Sequence, residues 1–518
     1  MSLRKAFRRS SLIRFHHRRS FLVGPASLAV ACLALLLLVL PFNCAAQDSH
    51  SLNLNVQVLS LSPPRLKIEG ARAGPTRNWS FLNSYAGVTG LGERIENLRL
   101  ADASGTDIPV RKLAPVEYEA ESAAIRFSYE VKLDAPVNPT DASHVSWLAK
   151  DYGFFALGDL LPLMNEPGGH AAQTLVRFSM PAQWRIAANE TQGADGQFVL
   201  TETERAVFFA GPGLRERRER IGSLELAFVT TGEWSFADEE AASMAASVIK
   251  DYAEKLGGVP GTRAMLMLSP FPSQVGADRW SAETRGGTVT LLSGKSPSKT
   301  AALAQLSVPL THELFHLWIP NGLALDGNYD WFYEGFTNYQ AMRAGMRLNF
   351  LSFQDYLNSL GRAFDAYLLE ADRDKYSLPD ASQRRWTNST ALVYHKGLLV
   401  AFLYDLQLRS QTGGKHSLDD VYKELFQRYR APLKRTDGNA AVINALSAQE
   451  KMKDFVRRYV ETASAIELAQ AIAPFGLRAE RPAGFRTHVS VADSLSRSQR
   501  DLLRKFGYND EPQRARRK

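Results

Sequence analysis

The chain has 518 residues, of which 45% are hydrophobic and 22% charged, with 36 glycines and 24 prolines. That is ordinary globular composition with room for two or three domains, and it excludes a collagen-like, coiled-coil or largely disordered chain. The formal charge of +8 invites a nucleic-acid partner, but residues 1–19 carry seven Arg or Lys and no acid, and without them 55 bases face 54 acids; the body is near neutral and no nucleic acid is expected to bind it.

The basic start precedes an uncharged run, Ala26–Leu40 (ASLAVACLALLLLVL), which the small residues Cys44, Ala45 and Ala46 follow. This is the order of a secretory signal. Two outcomes are open: cleavage near Ala46, or retention as a signal anchor in which residues 21–42 cross the inner membrane and attach the protein to it. Either exports the body to the periplasm or the extracellular space. Arg18-Arg19-Ser20-Phe21-Leu22 also resembles a twin-arginine address, although a run this rich in arginine yields such pairs by chance. Residues 1–46 are therefore set apart from the fold. They contain both cysteines, Cys32 and Cys44, so cleavage would leave a body without disulfides.

Residues 47–235 contain short apolar runs broken by turn residues: Leu52–Leu61, Ala124–Leu133, Thr174–Met180 and Leu224–Thr230. Several alternate at period two, which predicts strands with one buried face and hence a β domain. The pattern changes at 236. Phe236–Leu256 reads as an amphipathic helix stopped by Gly257-Gly258, and Arg263–Leu268 and Gly287–Leu292 read as strands. Residues 236–345 thus form a small α/β unit. Helices dominate 346–478, where Ser417 with Asp420 and Ser447 with Glu450 are spaced as capping boxes. The apolar pattern fades afterwards, and 479–518 is expected to be a loosely attached basic tail. The fold class expected is α+β.

The chemistry concentrates in Thr311–Tyr339 (THELFHLWIPNGLALDGNYDWFYEGFTNY). His312 and His316 are four apart, so one helix face presents both imidazoles to one ion. Leu303, Leu306, Leu310, Leu314 and Leu317 support that helix, and Pro309 predicts that it starts close by, with Ser307 or Val308 as its cap. A catalytic zinc site wants three protein ligands and an open position for water, whose pKa the metal lowers toward ~7. Glu313 adjoins the first histidine as a candidate general base. Glu334, on a second predicted helix beyond a loop with Pro320, Gly322 and Gly327, is the candidate third ligand. One Zn2+ per chain is expected.

With HELFHLW, WFYEGFTNY, Tyr394-His395-Lys396-Gly397 before an apolar helix, and HSLDDVYKELFQRY further on, the chain resembles the M61 glycyl-aminopeptidase-like family of gluzincin metallopeptidases. The resemblance spans roughly 50–478 and is strongest around the metal motif. It implies a β-sheet domain, a thermolysin-like catalytic unit and a helical lobe, acting on a peptide or protein substrate. It also implies ligand roles for His312, His316 and Glu334, a base at Glu313, and Tyr394 as donor to the tetrahedral oxyanion. Asn338, four residues after Glu334, is read as a surface residue. The sequence departs from the family in three ways. Seventeen residues separate His316 from Glu334, one fewer than usual. Residues after 479 are too few for the ~90-residue PDZ domain that many relatives carry. Where relatives follow a glycine-rich edge strand with the acid that anchors a substrate amine, Arg285–Leu292 offers Thr288 and Val289. Aminopeptidase and endopeptidase action therefore both stay open. The alternative to an exported zinc peptidase is a catalytically silent envelope binding or assembly protein that keeps the zinc site.

Overall fold

The computed structural model describes residues 52–163, 173–482 and 486–509. The expected signal or anchor lies outside them, as do residues 510–518. Among the described residues no helix is long and apolar enough to cross a membrane.

The first half is β-rich, as its period-two runs require. Leu52–Leu61 pairs antiparallel with Pro64–Ser80, Val56 opposite Ile68, and parallel with Thr174–Ser179. In the first of these strands Leu52, Leu54 and Val56 are buried, one face of the pleat. Pro64–Ser80 also pairs with the long strand Glu117–Lys132, and further strands bring this sheet to nine. Trp79, Phe127 and Tyr129 from its inner face pack with Phe81 and with Phe208 of a second sheet into one core. A four-stranded sheet, including Gly153–Ala156 and Val207–Gly211, lies against it.

The second unit is a five-stranded sheet of β1 (Arg215–Ile221), β2 (Leu224–Thr230), β3 (Arg263–Pro270), β4 (Trp280–Arg285) and β5 (Thr288–Ser293), in the order β1-β2-β3-β5-β4. This sheet begins at Arg215, ahead of the composition change at 236. β2 alternates like the strands before it, so pattern alone assigned it to the β domain. The stretch 264–268 of β3 is wholly apolar because both faces are covered. Ala264, Leu266 and Leu268 face the helices, while Met265 and Met267 meet Trp147, Phe154 and Phe209 of the four-stranded sheet. Helix α1 (Asp238–Leu256) crosses from β2 to the parallel β3 and ends on Gly257, whose φ of 81° is the left-handed stop.

Further helices include α2 (Lys299–Glu313), α3 (Thr337–Arg347), α4 (Phe353–Leu369), α5 (Gly397–Gln411), α6 (Leu418–Tyr429) and α7 (Arg497–Arg504). Their core is continuous with the helix-facing side of the sheet, from Leu224 to Phe506, and does not break at 345/346. Asp405 ties the lobe together: it accepts from Tyr339 Oη at 2.5 Å, Arg409 at 3.0 Å and the Leu418 amide at 2.8 Å. Such a buried charge is stable only because every partner is present.

Two expectations about the end of the chain are corrected. Ser447 does not start a helix; it closes Gly438–Leu446, and the next helix follows a tight turn at Glu450–Met452. Residues 486–509 are not a loose tail. Leu477–Glu480 pairs with His488–Val491, and α7 buries Leu502, Leu503 and Phe506 while Arg343 donates to the Lys505 carbonyl. Three apolar residues in a charged segment are too few to register as a pattern, but each finds a place in the core.

Candidate metal centre

Helix α2 starts earlier than Pro309 suggested. Ser298 caps it, accepting from the Ala301 amide, and the proline lies inside. Nearby hydroxyls bond back to the coil: Ser307 Oγ donates to the Ala304 carbonyl, and Thr311 Oγ1 lies 2.9 Å from that of Ser307 and 3.0 Å from that of Val308. After Glu313 the coil tightens into a 3₁₀ turn, Phe315–Leu317, which carries His316. His316 Nδ1 is 2.9 Å from the Ile319 carbonyl oxygen. A carbonyl only accepts, so Nδ1 carries a proton, and Nε2 is the nitrogen that faces His312.

The other site residues ride on wide i→i+5 turns. Glu334 is in Trp331–Phe336, Arg385 in Arg385–Ser389 and Tyr394 in Leu392–Lys396. Such turns insert a residue into a helix and concentrate at functional sites. Two glycines let the first and third cross. A Cβ on Gly335 would lie 2.6 Å from Gly397 Cα and collide with the Val393 carbonyl; one on Gly397 would lie 2.8 Å from the Trp331 carbonyl oxygen.

The nitrogens and the carboxylate converge. His312 Nε2 and His316 Nε2 are 3.0 Å apart, and Glu334 Oε2 is 3.2 Å from the first and 3.6 Å from the second. Donors at 2.0–2.1 Å on a tetrahedral zinc stand ~3.3 Å apart. The three atoms therefore fit a zinc ion at their centre. Glu313 is the other carboxylate within reach, its donor atom within 4.8 Å of both imidazoles. Glu334 is the tighter partner, and Glu313 Oε2 is instead held by Thr284 Oγ1 at 2.8 Å.

Arg385 was not foreseen. Its Nη1 donates to Asp330 at 2.7 Å, while Nη2 lies 3.1 Å from Glu334 Oε1 and donates to Tyr394 Oη at 2.6 Å. It stands in an ordinary basic stretch, Arg384-Arg385, and nothing local separates it from its exposed neighbour. Because a guanidinium only donates, the Tyr394 oxygen accepts and its own proton is left for another acceptor. Asn338 lines a neighbouring cavity with Glu370, Asn388 and His395, and Tyr394 borders both that cavity and the site.

Burial opposes charge on Glu334, but Arg385 beside it holds the carboxyl well below the usual range. Burial likewise opposes a charged His316, and Glu334 overrides it, raising the imidazole to about 9 without metal. Burial pushes the Tyr394 phenol well above 10, so it stays protonated at neutral pH.

The opposite wall is β4, the edge strand, and it corrects the expectation placed on Thr288 and Val289. Those residues lie in β5, inside the sheet. The acid on the edge is Glu283, whose place in Ala282-Glu283-Thr284-Arg285 was readable but was passed over for the Gly-Gly that follows. It accepts from Tyr85 Oη, His144 Nδ1 at 3.0 Å and Arg285 Nη2 at 3.1 Å. Burial works against its charge, yet Arg285 holds it down at about 2. All these groups line one cleft of about 880 Å³.

Against known proteins, this geometry has counterparts. Residues 324–400 match the family model described as M61 glycyl aminopeptidase. The M61 resemblance read from the sequence is thus shown. An aminopeptidase N family protein from Idiomarina loihiensis superposes with a TM-score of 0.71 at 16% identity, over 83% of this chain and 79% of that one. An M1 zinc metallopeptidase from Deinococcus radiodurans, a variant bound to a Tyr-Ser-Ala substrate, gives 0.52 at 15% identity over 81% and 95%. Without that substrate the Deinococcus enzyme gives 0.50 at 14% identity, over 81% and 95%. These likenesses establish the α+β fold: a β-rich N-terminal region followed by a helical C-terminal one. No curated protein matches the chain.

Proposed function

We propose that the protein is an exported zinc metallopeptidase, with one zinc per chain held by His312, His316 and Glu334. The observation that carries this reading is the convergence of His312 Nε2, His316 Nε2 and Glu334 Oε2 within 3.0–3.6 Å of one another. Zinc in that position supplies Lewis acidity and acidifies water. The chain's own residues do the rest. Glu313, oriented by Thr284, takes a proton from water and returns it to the leaving amine. Tyr394 donates its proton to the oxyanion that forms on the substrate carbonyl. Arg385 holds Glu334 and the Tyr394 oxygen in a fixed relation, so both are in place before substrate arrives. Export rests on the N-terminal signal pattern alone.

Substitution Glu313→Gln tests the reading. Peptide hydrolysis should fall by about 10²–10⁴-fold, with zinc content unchanged by elemental analysis. A variant that cleaves at the wild-type rate sinks the base assignment. Zinc-loaded wild type that cleaves nothing in a broad peptide library favours the silent binding protein instead.

Whether a free amino terminus is required turns on Glu283. Its carboxylate is already matched by Arg285 and hydrogen-bonded to Tyr85 and His144. A substrate ammonium would find little uncompensated charge there, so we propose that cleavage does not depend on a free amine. Paired peptides with free and acetylated ends decide this: comparable kcat/KM values support it, and cleavage of the free peptide alone refutes it.

A further inference from the structure

Beside the buried Arg385 stands Trp386, which is 59% exposed and lines the mouth of the same cleft. Its ring lies over the Arg385 guanidinium, 4.4 Å from carbon to ring centroid. That guanidinium is pinned by Asp330 and Glu334, so the ring rests on a fixed support. From the β domain, the hairpin of Ser84–Tyr85 and Val88–Thr89 reaches the ring edge. A Cβ on Gly87, whose φ is +85°, would meet a ring carbon at 3.8 Å. Leu82, Ala86 and Leu163 line the cleft with it. A large aromatic held in place, with much of its surface open to a peptide-sized cleft, is placed to receive an apolar side chain.

We propose that Trp386 is a specificity-determining residue, the platform on which a large apolar or aromatic substrate side chain near the scissile bond is seated. The proposal rests on the peptidase reading and names the substrate class that this site takes. Apolar contact with the ring is gained by phenylalanine or leucine and not by alanine or glycine, and contacts of this kind discriminate by tens of fold. The neighbouring guanidinium binds Glu334 on the far side, so the platform lies close to the reacting bond.

The test uses zinc-loaded full-length protein and acetylated hexapeptides that differ only in Phe or Ala beside the cleaved bond. Wild type should favour Phe in kcat/KM by tenfold or more, Trp386→Ala should reduce that ratio at least tenfold, and Trp386→Phe should restore much of it. A separate readout is calorimetric binding of the same peptides to Glu313→Gln, where adding Trp386→Ala should erase the difference in Kd. An unchanged Phe/Ala ratio in Trp386→Ala, or a wild-type preference for lysine or arginine over Phe, overturns the proposal. If wild type cleaves neither these peptides nor their free-amine counterparts but Glu313→Gln still binds the Phe peptide more tightly through Trp386, the peptidase reading fails and the subsite stands. Loss of that binding difference fails the subsite instead.

Discussion

Replacing Arg385 with methionine isolates the ion that organises the metal centre. Methionine keeps an unbranched stem against Tyr394 and Trp386 and removes the charge. Asp330 and Glu334 are 5% and 8% exposed, and both then sit without their cation. Breaking one buried pair by deleting a partner costs about 3–5 kcal/mol. Unfolding entropy of ~2.1 cal/mol/K per residue amounts to about 1 kcal/mol per degree for a chain this size, so Tm in chelator should fall by about 3–5 °C. Zinc changes the comparison in a definite direction. It returns a cation to Glu334 but not to Asp330, so the deficit of Arg385→Met against wild type should shrink when both are zinc-loaded. Differential scanning calorimetry in chelator and in zinc measures the two deficits. A zinc-free variant as stable as wild type, or a deficit that zinc leaves unchanged, refutes the assignment of Arg385 as the counter-charge of Glu334.

Gly335→Ala should cost about 1–3 kcal/mol by overpacking and should also lower zinc affinity, because Val393 and Gly397 must yield and Glu334 moves with them; equilibrium competition with a chromophoric chelator reads the affinity. Lys396 is fully buried, and its Nζ has no hydrogen-bond partner among the described residues. Burial lowers its pKa to about 8 from 10.5. The unfolded chain therefore binds the proton more tightly between those values, and stability rises with pH through that window. Lys396→Met should stabilise the protein at pH 7 by up to about 3 kcal/mol, and the gain should vanish above pH 10.5 in urea melts; a destabilised variant at pH 7 contradicts the burial argument.

How much was legible follows from how local each signal was. His312, Glu313, His316 and Glu334 were readable because helix geometry and zinc chemistry both constrain their spacing over a short stretch. Tyr394 entered by resemblance, since it lies 60 positions beyond Glu334 and no local pattern joins them. Pro309 does not mark a helix start, because the helix runs through it from the Ser298 cap. Glu283 was missed because Gly286-Gly287 drew attention to the strand after the edge rather than the edge itself. β2 was grouped with the β domain because alternation reports a half-buried strand and not which sheet receives it.

The sequence by itself determined the metal motif, the β-then-helix order and the candidate base, all consequences of short-range periodicity and side-chain chemistry. Only the tertiary structure decided that Arg385 joins Glu334 to Tyr394, that Glu283 faces the cleft already paired, and that Trp386 stands open at its mouth. Those facts depend on which turns cross at Gly335 and Gly397 and on which strand ends at the edge of the sheet. Packing between distant segments sets both, and no spacing along the chain records it.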